Sequence, residues 1–163
     1  MKLAKASGAA KVIATDIVEY RKAAARKAGA DAVIDGREDV PAKVREVNDG
    51  LPADYVITCT GAAKAILQGL GCVDRGGTVL FFAPSEPTSR IEIPFNAVWR
   101  EEVTITSSYG GSPRDILEAM ELLATRRVNV ADLITHTLPL AEAKKGFRLV
   151  AQATDSIKVV LRP

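Results

Sequence analysis

Apolar positions in the first half of the chain fall in short continuous runs separated by stretches of strong helix formers. Residues 11–16 (KVIATD) make a β-branched run, and residues 19–28, rich in Ala, Lys and Arg and closed by Gly29, have the composition of a helix. The pattern then repeats: a strand at 32–35 (AVID), a helix at 40–47 entered through Pro41, a strand at 54–60 (DYVITCT), a helix at 62–70 and a strand at 76–83 (GGTVLFFA). These strands are unbroken apolar runs rather than alternations, the pattern of a parallel sheet with helices on both faces. The spacing predicts an α/β fold built on a doubly wound parallel sheet.

After residue 83 the rhythm changes. Pro84, Pro87 and Pro94, with polar residues between them, cannot sustain a helix, so this stretch reads as a long loop with one extended piece at 90–93. A fifth strand is expected at 103–109 (VTITSSY). Ser112 and Pro113 are residue types suited to an N-cap and a first helical position, for a helix reaching about residue 125. One more helix at 140–150 and a last strand at 157–161 (IKVVL) complete the pattern. Residues 1–7 before Gly8 read as the C-terminal half of a helix with its glycine cap.

Composition narrows the function classes. The 163 residues suit one domain, and a net charge of +2 from 22 basic and 20 acidic side chains, interspersed along the chain, provides no basic stripe for nucleic acid. The longest uncharged run is eleven residues, 103–113, short of the roughly 20 needed to span a bilayer. Lys2, Lys5 and Lys11 interrupt any signal-peptide core, so the chain is expected to be cytoplasmic. Cys59, Cys72 and His136 are the only thiol or imidazole groups, and their spacing makes neither a zinc clip nor a hydrolytic triad. No metal site and no catalytic residue are expected in this chain.

Ligands of open α/β sheets bind outside the carboxyl ends of the strands, which singles out the last residue of the first strand, Asp16. An acid there accepts hydrogen bonds from adenosine ribose hydroxyls and repels a 2′-phosphate, and Arg21 five residues on could stack on adenine. The alternative is that Asp16 caps the following helix and Arg21 is a solvated charge. The glycine fingerprint that accompanies such an acid should lie about 20 residues upstream, yet only fifteen residues precede Asp16. Gly69 and Gly71 form a lone G-x-G before a strand, with Asp74 where a third glycine would stand, and are discounted.

The ordered segments AKASGAAKVIATD, ARKAGADAVID, DYVITCTGA, GGTVLFFA, VTITSSYG, LITHTLPLAEAKKGF and DSIKVVL together make the chain resemble the zinc-dependent medium-chain alcohol dehydrogenases, particularly the sorbitol and threonine dehydrogenase branch. The resemblance covers the cofactor-binding portion and a C-terminal return segment, about residues 137–163. It implies one Rossmann-like domain over residues 1–163, truncated at its N-terminus, with NAD as cofactor. The family's zinc ligands lie upstream of anything present.

Carried over residue by residue, the resemblance gives Asp16 the adenosine ribose and Arg21 the adenine. Thr60 receives the nicotinamide-side ribose, with Cys59 packing beneath it. Phe81, Phe82 and Ala83, and Ser107, Ser108 and Tyr109, would present backbone groups to the carboxamide, and Lys158 would reach the pyrophosphate. His136, placed in a turn, is expected to be structural. The missing first strand would leave two sheet edges unpaired, so the flanking strands would close up, or another chain would supply the missing part, or the sequence is a late-start reading or fragment; a missing N-terminal catalytic domain is a further expected partner. Pairing of the late edge strands, 90–93 and 103–109, implies a homodimer.

The function expected is the NAD-binding portion of a zinc-dependent alcohol or polyol dehydrogenase, lacking its catalytic zinc domain. The alternative is a non-catalytic nucleotide-binding or assembly module. A methyltransferase would also carry an acid after its second strand, but the THTLPL and SIKVV segments argue against it.

Overall fold

Proline, glycine and short polar residues punctuate the chain where its strands give way to helices. In the computed structural model, which describes all of residues 1–163, the order is α1 (Lys2–Ala6), β1 (Ile13–Asp16), α2 (Glu19–Lys27), β2 (Ala32–Asp35), α3 (Val40–Val47), β3 (Ala53–Thr58), α4 (Ala63–Cys72), β4 (Val73–Phe81), α5 (Phe95–Arg100), β5 (Thr104–Ser107), α6 (Pro113–Ala124), β6 (Ile134–Pro139), α7 (Ala143–Gln152) and β7 (Lys158–Arg162). Strand and helix alternate through the first half as the apolar pattern predicts. The strands form three sheets, ordered β1-β2, β3-β4-β5 and β6-β7. The pairings β3–β4, β4–β5 and β6–β7 are all parallel.

Two units make up the chain: Met1–Val33 with Ser112–Pro163, and Ile34–Gly111. In the first, Gly29 just past α2 has a φ of +91°, a left-handed position that suits a residue without a Cβ. Helix α6 starts with a full capping box: Asp115 N donates to the Ser112 hydroxyl at 3.3 Å, and Ser112 N donates to the Asp115 carboxylate at 2.6 Å. Hydrogen bonding of the Asp115 carboxyl to the Ser112 side chain, and then to its backbone N–H, holds that carboxyl below its usual range. Helix α7 lies close on the β6–β7 sheet. A Cβ at Gly146 would meet Leu161 Cδ2 at 3.2 Å and Val159 Cγ1 at 3.4 Å, so a larger residue here would make those side chains give by a few tenths of an ångström. The helix ends at Ala153, a non-glycine residue with φ +52°, and the buried Ser156 hydroxyl then donates to Leu149 O at 2.8 Å.

In the second unit, Asp39 caps α3 through Ala42 N at 3.1 Å, with Pro41 in the first turn where a missing N–H costs nothing. Helix α4 packs on β3, where a Cβ at Gly69 would stand 3.0 Å from Thr58 Cγ2. The core is built from Leu70, Val73 and the fully buried Val79, with Val56, Phe81, Val103 and Ile105 against it. On the opposite face of β3, Tyr55 and Ile57 are exposed. Within this unit one sheet face is open, although the apolar runs suggest helices over both.

Three expectations from the sequence need correction. Residues 90–93 form no strand; without a ladder partner, and with Pro94 unable to donate, the segment stays irregular and leads into α5 at Phe95, a helix the proline spacing concealed. His136 is not in a turn but in strand β6, opposite Val159. Pro139 gives the look of a turn, yet it closes the strand, and Thr135 and Thr137 are β-branched residues suited to one. Strand β4 begins at Val73, directly after α4, so no loop separates them.

Candidate functional site

The carboxyl ends of the strands are where an α/β sheet offers backbone and side-chain groups to a ligand. In the first unit β1 ends at Asp16, and Asp16 Oδ1 accepts a 2.9 Å hydrogen bond from Val18 N. This bond orders the turn into α2, while the N-cap position itself belongs to Val18, whose side chain caps nothing. Of the two roles the sequence leaves open for Asp16, the structure therefore shows a turn-forming bond rather than a cap, and that bond uses one oxygen of two. Arg21 lies in the first turn of α2, and its Nε is buried without a hydrogen-bond partner. The neighbouring cations are provided for: Glu19 pairs with Lys22 at 2.9 Å and Arg26 at 3.2 Å. Those pairings, Lys22 first, hold the Glu19 carboxyl below its usual range. A buried donor without a partner calls for an explanation, and a carboxylate with one oxygen unused can accept from a polar ligand.

Lys158 lies on another sheet of the same unit. It is exposed at the amino end of β7, opposite Ile134, and its carbonyl accepts from the Thr135 hydroxyl at 3.2 Å. His136 sets Nδ1 3.0 Å from the Thr135 hydroxyl, a local contact that fits a structural residue.

In the second unit, parallel register places Thr58, Phe81 and Ser107 in one row across β3, β4 and β5. Cys59 and Thr60, Phe82 and Ala83, and Ser108 and Tyr109 all follow directly after that row, so the structure gathers these residues at one sheet end. The hydroxyl of Thr60 is exposed and accepts from Ala62 N at 3.3 Å, shaping the entry to α4. Tyr109 is 96% exposed. The amides of Phe82 and Ala83 both donate to Thr58 O, at 3.1 and 3.3 Å, and Ser108 N donates to Phe81 O at 3.1 Å. These three N–H groups are used within the sheet, and the carbonyls beyond the row are what this edge offers a ligand.

One residue at this end was missed by reading the sequence. Gly61, in the exit from β3, faces the backbone of the exit from β4: a Cβ there would stand 2.2 Å from Pro84 O and 2.7 Å from Ser85 Cα. The signal available was a glycine directly after a predicted strand, which marks a close backbone approach as readily as a turn.

No group of three or more His, Cys, Asp or Glu residues could hold a metal ion. Both cysteines are free. Burial pushes the Cys72 thiol up to about 11, with the Arg45 charge opposing the shift, and desolvation also raises the Cys59 thiol. Neither has the lowered pKa of a thiol nucleophile at neutral pH.

A family model described as zinc-binding dehydrogenase matches residues 1–125. The chain is 32% identical over 168 residues to a sorbitol dehydrogenase of Halalkalibacterium halodurans, covering 99% of this chain and 47% of that protein. It is 33% identical over 164 residues to an L-threonine 3-dehydrogenase of Caldanaerobacter subterraneus, covering 99% of this chain and 47% of that one. Among solved structures, an alcohol dehydrogenase zinc-binding domain protein from Burkholderia ambifaria superposes with a TM-score of 0.88 at 26% identity, over 99% of this chain and 44% of its own. The chain spans about half the length of the curated relatives it matches.

Proposed function

The chain belongs to the family of zinc-binding dehydrogenases, and we propose that it is the part of a zinc-dependent alcohol or polyol dehydrogenase that holds NAD, without the part that holds the catalytic zinc. The observation that carries this reading is the end of β1. Asp16 is fixed by Val18 N through one oxygen, which leaves the other to accept from a ribose hydroxyl, and Arg21, in the first turn of α2, has a buried, unsatisfied Nε. In this reading Asp16 takes the adenosine ribose and Arg21 the adenine. Thr60 takes the nicotinamide-side ribose above Cys59, and the carbonyls after Phe81 and Ser107 face the carboxamide. Lys158 is assigned the pyrophosphate by resemblance alone.

NAD, when bound, supplies the hydride acceptor. The residues present do not make a zinc site, so no step through zinc is derived for this chain. We also propose a homodimer formed at β5, the edge of its sheet, whose outer row of backbone groups is unpaired. The cytoplasm is the compartment that suits this reading.

Saturation-transfer NMR of NAD with the unaltered chain tests the assignment. Signal transferred to the adenine-side ribose protons, and lost in Asp16→Ser, is the expected result. Transfer that Asp16→Ser leaves untouched would count against the role of Asp16.

A further inference from the structure

Glycines in this chain serve two different purposes. Gly8, Gly29, Gly50, Gly76 and Gly110 have positive φ and open space where a Cβ would go, so their role is conformational. Gly61 is the reverse case, with no positive φ but no room. Its missing Cβ would lie 2.2 Å from Pro84 O, 2.7 Å from Ser85 Cα and 2.9 Å from Pro84 C, all backbone atoms that cannot rotate away. The exit from β4 is drawn over β3 because Thr58 O accepts from both Phe82 N and Ala83 N, and β3 must then pass directly against Pro84 and Ser85. On the same three-residue turn, Thr60 Oγ1 is held by Ala62 N.

We propose that Gly61 is a positioning residue for the nicotinamide half of the cofactor: by allowing contact between the exits from β3 and β4, it sets the spacing between the Thr60 hydroxyl and the carbonyls following Phe81. This rests on the cofactor reading above. A methyl group at residue 61 must part the two exits by about 1 Å to reach ordinary contact distance, and a shift of that size breaks hydrogen-bond register with a ligand held by both, at a cost of roughly tenfold for a bond lost.

The test is titration of the unaltered chain and Gly61→Ala with NADH and with 5′-AMP, which carries only the adenosine half, alongside circular dichroism to confirm folding. Gly61→Ala should weaken NADH at least about tenfold and leave 5′-AMP within about twofold. Should Gly61→Ala fail to fold, Pro84→Gly, which adds no atoms but frees the exit from β4, should show the same selective loss. Equal weakening of both ligands, or of neither, by a folded variant overturns the proposal while leaving the cofactor reading intact. Failure of the unaltered chain to bind either ligand overturns both.

Discussion

At the scale of single residues, charge and backbone conformation make separate predictions. In the proposed reading Asp16 offers its second carboxylate oxygen to a ribose, and hydrogen bonds to a charged acceptor contribute about 1.5–3 kcal/mol. Asp16→Ser should therefore weaken NAD about 10- to 100-fold while sparing NADP, which the carboxylate repels; competition between the two nucleotides measures the change in preference. Cys72 is buried and its thiol is raised from 9.0 to about 11, so the folded chain favours the protonated form. That contribution to stability is complete below the unfolded pKa and is lost as pH rises from about 9 to 11. A thiol reagent at pH 8 should modify Cys59, the exposed thiol, and reach Cys72 only on denaturation; rapid labelling of both in the native chain would contradict its burial. Asp16 was legible because it ends an apolar run, whereas Gly61 was not. A glycine that excludes a Cβ through a contact with residues 84 and 85 leaves in sequence only its place directly after a strand, which a turn glycine shares.

Elements were legible where the signal is local. Helix α6 follows from Ser112 and Pro113, and the capping box forms as those residue types dictate. Ser112→Ala should cost about 1 kcal/mol and lower the melting temperature by about 2–4 °C. The end of α7 gives the opposite sign. Ala153 adopts a φ of +52°, a conformation glycine takes without the Cβ penalty, so Ala153→Gly should stabilise by about 0.5–1 kcal/mol in a thermal melt. Elements that depend on distant partners were read less well. The segment 90–93 has strand composition but no strand to pair with, and β6 forms because β7 lies beside it, about 20 residues later in the chain. Proline misleads in both places, since it ends a strand as readily as it makes a turn.

At the scale of the whole molecule, the α/β class and the parallel pairing follow from unbroken apolar runs joined by helices. The division into sheets of two, three and two strands does not, because it depends on which strands find partners. The open face of β3, with Tyr55 76% and Ile57 55% exposed, could not be read from a run that looks equally apolar on both sides. The residues present also bound the chemistry. Without three convergent metal ligands, the purified chain should bind no stoichiometric zinc and form no NADH from alcohols or polyols; one equivalent of zinc with substrate-dependent NADH would contradict this. Light scattering at micromolar concentration should give the mass of a dimer, and a monomer would remove β5 as an interface.

The central claim, that this chain is a cofactor-holding part selective for NAD, is tested most directly by isothermal titration of the unaltered chain with NAD and with NADP. With the Asp16 carboxylate repelling a 2′-phosphate, the chain should bind NAD more tightly than NADP. Tighter binding of NADP, or no heat with either nucleotide at saturating concentration, would contradict the account.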